Sequence, residues 1–221
     1  MYKAFNENLK CRDYQFEVGK TYAIEGEPIL CKRGFHFCRD MQKCFNYYDM
    51  DSRICEIIAE DIIEGDHKSV CRKITITREL SKQEIMDKIT DSGLAYRWAS
   101  YIGNKDVMID KITDSLHAYH WALHFGNLEV MIDRITDSQQ AYLWALHIGN
   151  REVMIGRITD SKFAYGWAKG IGNQEVMIDR VTDSEWAYWW AIEIGNRDVM
   201  LPRITDELQR RHIERIIREK V

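Results

Sequence analysis

Proline is nearly missing from these 221 residues, with Pro28 and Pro202 the two present. That excludes a polyproline rod or a collagen-like polymer and leaves helices free to run uninterrupted through most of the chain. No stretch reaches the roughly 18 uncharged apolar residues of a membrane span, and the N-terminus lacks an apolar signal core. A cytoplasmic protein without membrane association is therefore the expectation. Basic excess is missing too: 31 Lys+Arg stand against 35 Asp+Glu, a net charge of -4. Bulk nucleic-acid binding needs a clustered basic face, so direct nucleic-acid contact is not expected. Cysteine is absent after residue 71. The six present (Cys11, Cys31, Cys38, Cys44, Cys55, Cys71) lack the paired C-x2-C spacing of a zinc site, so they read as buried free thiols and no metal is expected. Nucleophile–base, P-loop and H-E-x-x-H arrangements are missing as well.

What is present is a globular composition, 45% hydrophobic and 30% charged, with seven tryptophans. From about residue 85 the chain repeats itself. Thr90, Thr113, Thr136, Thr159, Thr182 and Thr205 recur every 23 residues, each followed by Asp, and Trp98, Trp121, Trp144, Trp167 and Trp190 keep the same register. Self-similarity at a fixed period of about 20–50 residues marks a solenoid.

Each unit reads as two short helices. Asp91-Ser92 starts helix A, and Ala95, Trp98, Ala99 and Ile102 give its apolar stripe. Gly103 stops it, and Asn104 caps helix B. Residues present in every unit serve stacking, so the registered aromatics are core, with their N–H and O–H tips spent on neighbouring carbonyls. The charged stretch from Leu208 to Val221 reads as a capping helix.

Function then belongs to the positions where repeats differ. Three ridges of helix A do so: Leu94, His117, Gln140, Phe163 and Trp186; Arg97, His120, Leu143, Gly166 and Trp189; Tyr101, His124, His147, Gly170 and Glu193. Gly166 and Gly170 predict a depression in this strip. Arg97, Tyr101, His117, His120, His124, His147, Trp186 and Trp189 have the composition of a protein-binding surface. His120 and His124, at i and i+4, with His147 one repeat on, could also hold a divalent metal. No carboxylate or cysteine joins them nearby in the strip, so contact is the preferred reading. A lid of Leu208, Ile213 and Ile216 over the two tryptophans is the structural alternative.

The first 80 residues read as a small α+β domain with an antiparallel sheet. Phe35–Phe37, Ile54–Ala59 and Val70–Thr77 have strand patterns, Asp40–Tyr48 has helical spacing, and Phe16–Ile24 predicts a hairpin arm around Gly19. Ser81–Thr90 predicts helix B of an incomplete first repeat. The fold expected is thus α+β: a sheet domain at 1–80, an α-solenoid of about five repeats at 81–206, and a cap at 207–221.

Two resemblances attach to the head. C-R-D-Y-Q-F-E-V-G-K-T-Y (Cys11–Tyr22), C-K-R-G-F-H-F-C (Cys31–Cys38) and F-N-Y-Y (Phe45–Tyr48) resemble an uncharacterised domain of phage and prophage proteins. That resemblance implies a mobile-element origin and a host-cell cytoplasmic setting. Gly34-Phe-His-Phe-Cys38 with Lys43-Cys-Phe-Asn-Tyr47 is similar to the nicotinamide-framing strand and tyrosine of ADP-ribosyltransferases. This implies NAD as cofactor and His36, Phe37, Tyr47 and Glu79 (or Glu56) as candidate catalytic residues. The expectation that follows is a non-enzymatic inhibitor, anti-CRISPR-like, that occludes a host protein or ribonucleoprotein complex without a cofactor. An ADP-ribosyltransferase-like enzyme that selects its target through the solenoid is the alternative.

Overall fold

The computed structural model describes residues 1–12 and 14–219. Asp13, and the last two residues of the expected 207–221 cap, Lys220 and Val221, lie outside the described residues. The chain divides into two compact units, Met1–Thr113 and Asp114–Val221. Among the described residues seven strands come first, and the helices follow them at regular spacing.

The spine of the first unit is a long antiparallel hairpin of β6 (Arg53–Ile63) and β7 (Ser69–Glu79), rich in Ile and Thr, which suit a pleated, half-buried surface. β1 (Tyr2–Phe5) pairs with β6, while β4 (Thr21–Ala23) and β5 (Phe35–Phe37) both pair with β7. A bridge between Tyr2 and Cys38 brings the end of β5 back to β1. β2 (Lys10–Cys11) and β3 (Tyr14–Gln15) form a separate two-stranded ribbon. Phe5, Phe16, Phe35, Phe37, Ile57, Ile74 and Ile76 fill the core.

No hairpin forms around Gly19. Phe16 instead drops into the core, its ring 5.1 Å from Phe5 and 5.8 Å from Phe35, and the residues on either side go to different sheets. Gly34 is fixed by space: its φ is +118°, and a Cβ there would lie 2.6 Å from Val70 Cγ2 and 2.9 Å from the Cys71 oxygen.

The strands lead into α1 (Lys82–Lys88), started by a reciprocal Ser81/Glu84 capping box. The first repeat, α2 (Ser92–Tyr101) and α3 (Lys105–Met108), packs on the head within the same unit. Gln42 Oε1 accepts the N–H groups of Thr90 (2.8 Å) and Asp91 (3.1 Å), and the Phe45 ring stands edge-on to Trp98 at 6.1 Å.

The second unit holds the other long helices, α4 (Ser115–Phe125), α6 (Ser138–His147), α8 (Ser161–Gly170) and α10 (Ser184–Glu193). Their short partners are α5 (Leu128–Met131), α7 (Arg151–Met154), α9 (Gln174–Met177) and α11 (Arg197–Met200), and α12 (Glu207–Arg218) follows. Each short helix is one α-turn tightening into a 3-10 turn. An Asp carboxylate caps every long helix. The repeat asparagines do not cap through their side chains. They take the left-handed conformation, φ from 49° to 57°, which Asn tolerates better than other non-glycine residues.

The five registered tryptophans are buried, none more than 1% exposed. Trp121 and Trp190 donate to Asn127 and Asn196 at 3.4 Å, whereas the indole N–H groups of Trp98, Trp144 and Trp167 find no acceptor among the described residues. Stacking is specified by two polar ladders as well. Each repeat serine accepts the N–H of the next repeat's threonine at 2.8–3.0 Å (Ser92–Thr113 through Ser184–Thr205). A cation reaches back the other way: Arg157, Arg180 and Arg203 donate to the Ile135, Ile158 and Val181 carbonyls at 2.7–2.9 Å, and Lys111 does so to Ile89 at 2.7 Å. These carbonyls end the preceding short helix and would otherwise be orphaned.

Trp144→Ala is expected to cost about 3–5 kcal/mol through the cavity it leaves, and Arg157→Leu about 1–3 kcal/mol through stranded carbonyls. Urea unfolding followed by circular dichroism reads both.

Candidate functional site

A cleft of about 550 Å³ opens in the head domain. Its lining comes from segments far apart in sequence: Tyr2–Ala4 of β1, Cys11, Arg12, Tyr14 and Phe16 of the ribbon, Cys31, Gly34–Cys38 around β5, the turn residues Cys44, Tyr47 and Tyr48, and Ile24 and Lys68. Three of the four residues expected for a nicotinamide pocket, His36, Phe37 and Tyr47, meet there. The fourth does not. Glu79 lies outside the cleft, its carboxylate gripped in a bidentate pair by Arg53 at 2.7 and 2.5 Å, and Glu56 is held by Arg78.

Lys3 dominates the electrostatics. Alternation along β1 puts it on the same face as Phe5, and its side chain is 3% exposed. Nζ donates to the His36 carbonyl at 2.8 Å and to Cys11 Sγ at 3.5 Å, and lies 5.5 and 5.7 Å from the Phe5 and Phe16 ring centroids. No carboxylate among the described residues pairs with it or lines the cleft. Arg12 and Lys68 add positive charge, Lys68 seated 4.5 Å over the Tyr47 ring.

Burial, then the charges of Lys3, Lys68 and Arg12, hold His36 below the ordinary imidazole range. Its Nε2 accepts the Cys31 N–H at 2.9 Å, which fixes the neutral ring's tautomer. Burial and the bond to Cys11 push the Tyr48 phenol up, with its hydroxyl 3.0 Å from Cys11 Sγ. The chemistry on offer is a positive, aromatic-walled slot with proton donors and no acid among the described residues. It can hold an anion carrying a flat ring.

The helix A positions are mostly committed to the protein's own structure. Leu94 and Gln140 are buried, so the first ridge packs inward. Trp186 belongs to it and lies against Tyr165 at 5.5 Å. Arg97 reaches the Phe45 carbonyl at 3.4 Å, His117 bonds its own capping Asp114 at 2.9 Å, and His120 packs beside Tyr119 at 5.5 Å. Tyr119 bonds His147 Nδ1 at 2.5 Å, and Glu193 receives both Tyr165 and Lys169. The repeat tyrosine is thus a third inter-repeat contact at Tyr119 and Tyr165, which only the residue 28 positions on could have signalled. The depression expected at Gly166 and Gly170 is taken by Tyr142, whose ring and hydroxyl lie 3.3–3.5 Å from where their Cβ atoms would be. Tyr101 (76%) and Trp189 (40%) are exposed, as is His124. The lid does not form at Leu208, which is 78% exposed, although Ile213 is buried.

Sequence reading missed Lys3, Arg12, Tyr14 and Lys68 of the cleft; a lysine inside the apolar tetrad Tyr2–Phe5 was the one available sign.

His36 makes stability depend on pH. Its folded pKa lies below the unfolded value of about 6.5, so the unfolded chain binds more protons as pH falls through that window. The stability His36 contributes is complete above about 6.5 and declines below it. The urea midpoint should therefore fall between pH 7 and pH 5, and His36→Gln should flatten that fall.

Residues 1–88 match the family described as a domain of unknown function (DUF7666). No curated protein and no solved structure matches the chain.

Proposed function

We propose that the protein is a receptor rather than a catalyst, and that its head takes up a small organic anion bearing a planar ring, of the nucleotide class. The observation that carries this is Lys3: a buried ammonium with no carboxylate partner among the described residues, facing an aromatic cleft. Removing a cation from water without a counter-charge costs several kcal/mol, and an incoming phosphate would offset that. Aromatic faces at Tyr14, Tyr47 and Tyr48 suit the ring. Binding without transfer is favoured over an ADP-ribosyltransferase because Glu79 is tied to Arg53 and Glu56 to Arg78, away from the cleft. NAD is one ligand the cleft could take.

A second reading belongs to the array as a surface that occludes a protein or ribonucleoprotein complex, such as an inhibitor of phage origin would use. Trp189 supports it, since its indole is 40% exposed although edge-on to Tyr188 at 5.5 Å. Trp189→Ala should leave the melting temperature unchanged and weaken a protein partner by more than about tenfold.

Titration calorimetry with AMP, adenosine and inorganic phosphate tests the head. AMP should bind more tightly than either fragment, and Lys3→Met should weaken it about tenfold to a hundredfold, the range of a charged hydrogen bond. Equal affinity for adenosine and AMP, or an unaffected Lys3→Met, ends the reading. Transfer of labelled ADP-ribose from NAD, lost in Glu79→Gln, would restore the enzyme.

A further inference from the structure

Two thiols of the cleft have no part in ligand binding as described. Cys38 follows β5 and exchanges both backbone hydrogen bonds with Tyr2, each 2.8 Å. Cys44 sits in the 3-10 turn Gln42–Asn46, with its sulfur 3.8 Å from the Tyr2 carbonyl oxygen, the one that accepts the Cys38 N–H. One carbonyl therefore holds both residues. Both line the cleft, and both are otherwise buried, 4% and 2% exposed.

We propose that Cys38 and Cys44 form a peroxide-reactive dithiol, with Cys38 the attacking sulfur and Cys44 the resolving one, reached through the cleft. The surroundings divide the roles. The neighbouring Cys44 thiol, with Lys3 and Lys68, draws Cys38 below the ordinary thiol range against burial and Asp40. The same pairing, then burial, drives Cys44 up, so Cys44 is the one that keeps the proton. A thiolate beside positive charge is the reactive form of cysteine. No other thiol among the described residues has a second thiol beside it on a shared carbonyl, although Lys3 Nζ also reaches Cys11 Sγ at 3.5 Å. Burial in the sheet pushes Cys55 and Cys71 up to about 12, Cys11 is bonded to the Tyr48 hydroxyl, and Cys31 lies exposed.

In the first step the Cys38 thiolate attacks one oxygen of a hydroperoxide. An S–O bond forms, the O–O bond breaks, and the leaving oxygen takes a proton, giving water when the oxidant is hydrogen peroxide. Cys38 is left as a sulfenic acid. In the second, the Cys44 sulfur attacks the Cys38 sulfur; the S–S bond forms, the S–O bond breaks, and hydroxide departs with the Cys44 proton as water. Two electrons pass from the dithiol to the peroxide, and an external dithiol reverses the change. This holds whichever anion the cleft accepts, so failure of the nucleotide reading leaves it standing.

The test uses the full chain and hydrogen peroxide, followed by alkylation and peptide mapping. The expected result is a protein lighter by two hydrogens, with Cys38–Cys44 as the main cross-link. In Cys44→Ala, Cys38 should accumulate as a sulfenic acid trapped by dimedone; in Cys38→Ala, Cys44 should stay reduced. Without peroxide, iodoacetamide should label Cys38 of the native protein at least about tenfold faster than Cys55 or Cys71 at neutral pH, a reading that needs no variant to fold. Oxidation of Cys31 with Cys38 and Cys44 both still reduced, a dimedone adduct on Cys44 instead of Cys38, or equal labelling of Cys38 and Cys55 would overturn the proposal.

Discussion

The ammonium of Lys3 is the constraint around which the head is arranged. It is carried by β1, the strand that pairs with β6 on one edge and bridges to Cys38 on the other. Its proton donors go to a backbone carbonyl and a thiol, while two phenyl faces sit within cation–π reach. These contacts hold the cation in place without neutralising it. The consequences spread outward: Lys3 adds to the burial that keeps His36 neutral and to the Cys44 thiol's pull on Cys38, and with Arg12 and Lys68 it makes the described lining of the cleft positive. A low-dielectric slot with one sign of charge concentrates ions of the other.

The helical repeats solve a separate problem. Tryptophan and methionine burial supplies the driving force in each unit, but apolar packing alone would leave the stacking register loose. Serine to the next repeat's threonine N–H, and arginine back to the previous short helix's carbonyls, set that register with directional bonds. The tyrosine hook adds a contact that varies in chemistry, histidine after Tyr119 and glutamate after Tyr165. The varying positions along the array are therefore partly internal contacts and not all free surface. Trp189 and Tyr101 are the aromatic positions left most open.

What the sequence made legible follows from locality. The 23-residue period, the Asp caps, the five core tryptophans and the β6 and β7 patterns depend on neighbours within a few residues, or on one unit copied five times. Orientation was harder. Leu94 and Gln140 differ between repeats yet are buried, because helix A is rotated enough to pack its first ridge inward. The asparagine after each glycine read as a side-chain cap, and what selects it is a left-handed backbone. The cleft was half legible: G-F-H-F-C and Tyr47 were picked out, while Lys3, Arg12 and Lys68 join them only through long-range strand pairing that no local pattern encodes. Glu79 showed the opposite failure, correct by strand position but turned into a pair with Arg53.

The most direct test of the central proposal, that Lys3, unpaired by any carboxylate among the described residues, makes the head cleft an anion site, is chemical-shift mapping on the isotope-labelled full chain. The account predicts that AMP shifts the Lys3 Nζ resonance and the amides of Cys31, His36 and Tyr47, and leaves the helical repeats in place. Shifts confined to the repeats, or a Lys3 resonance unmoved while the protein is saturated with AMP, would contradict it.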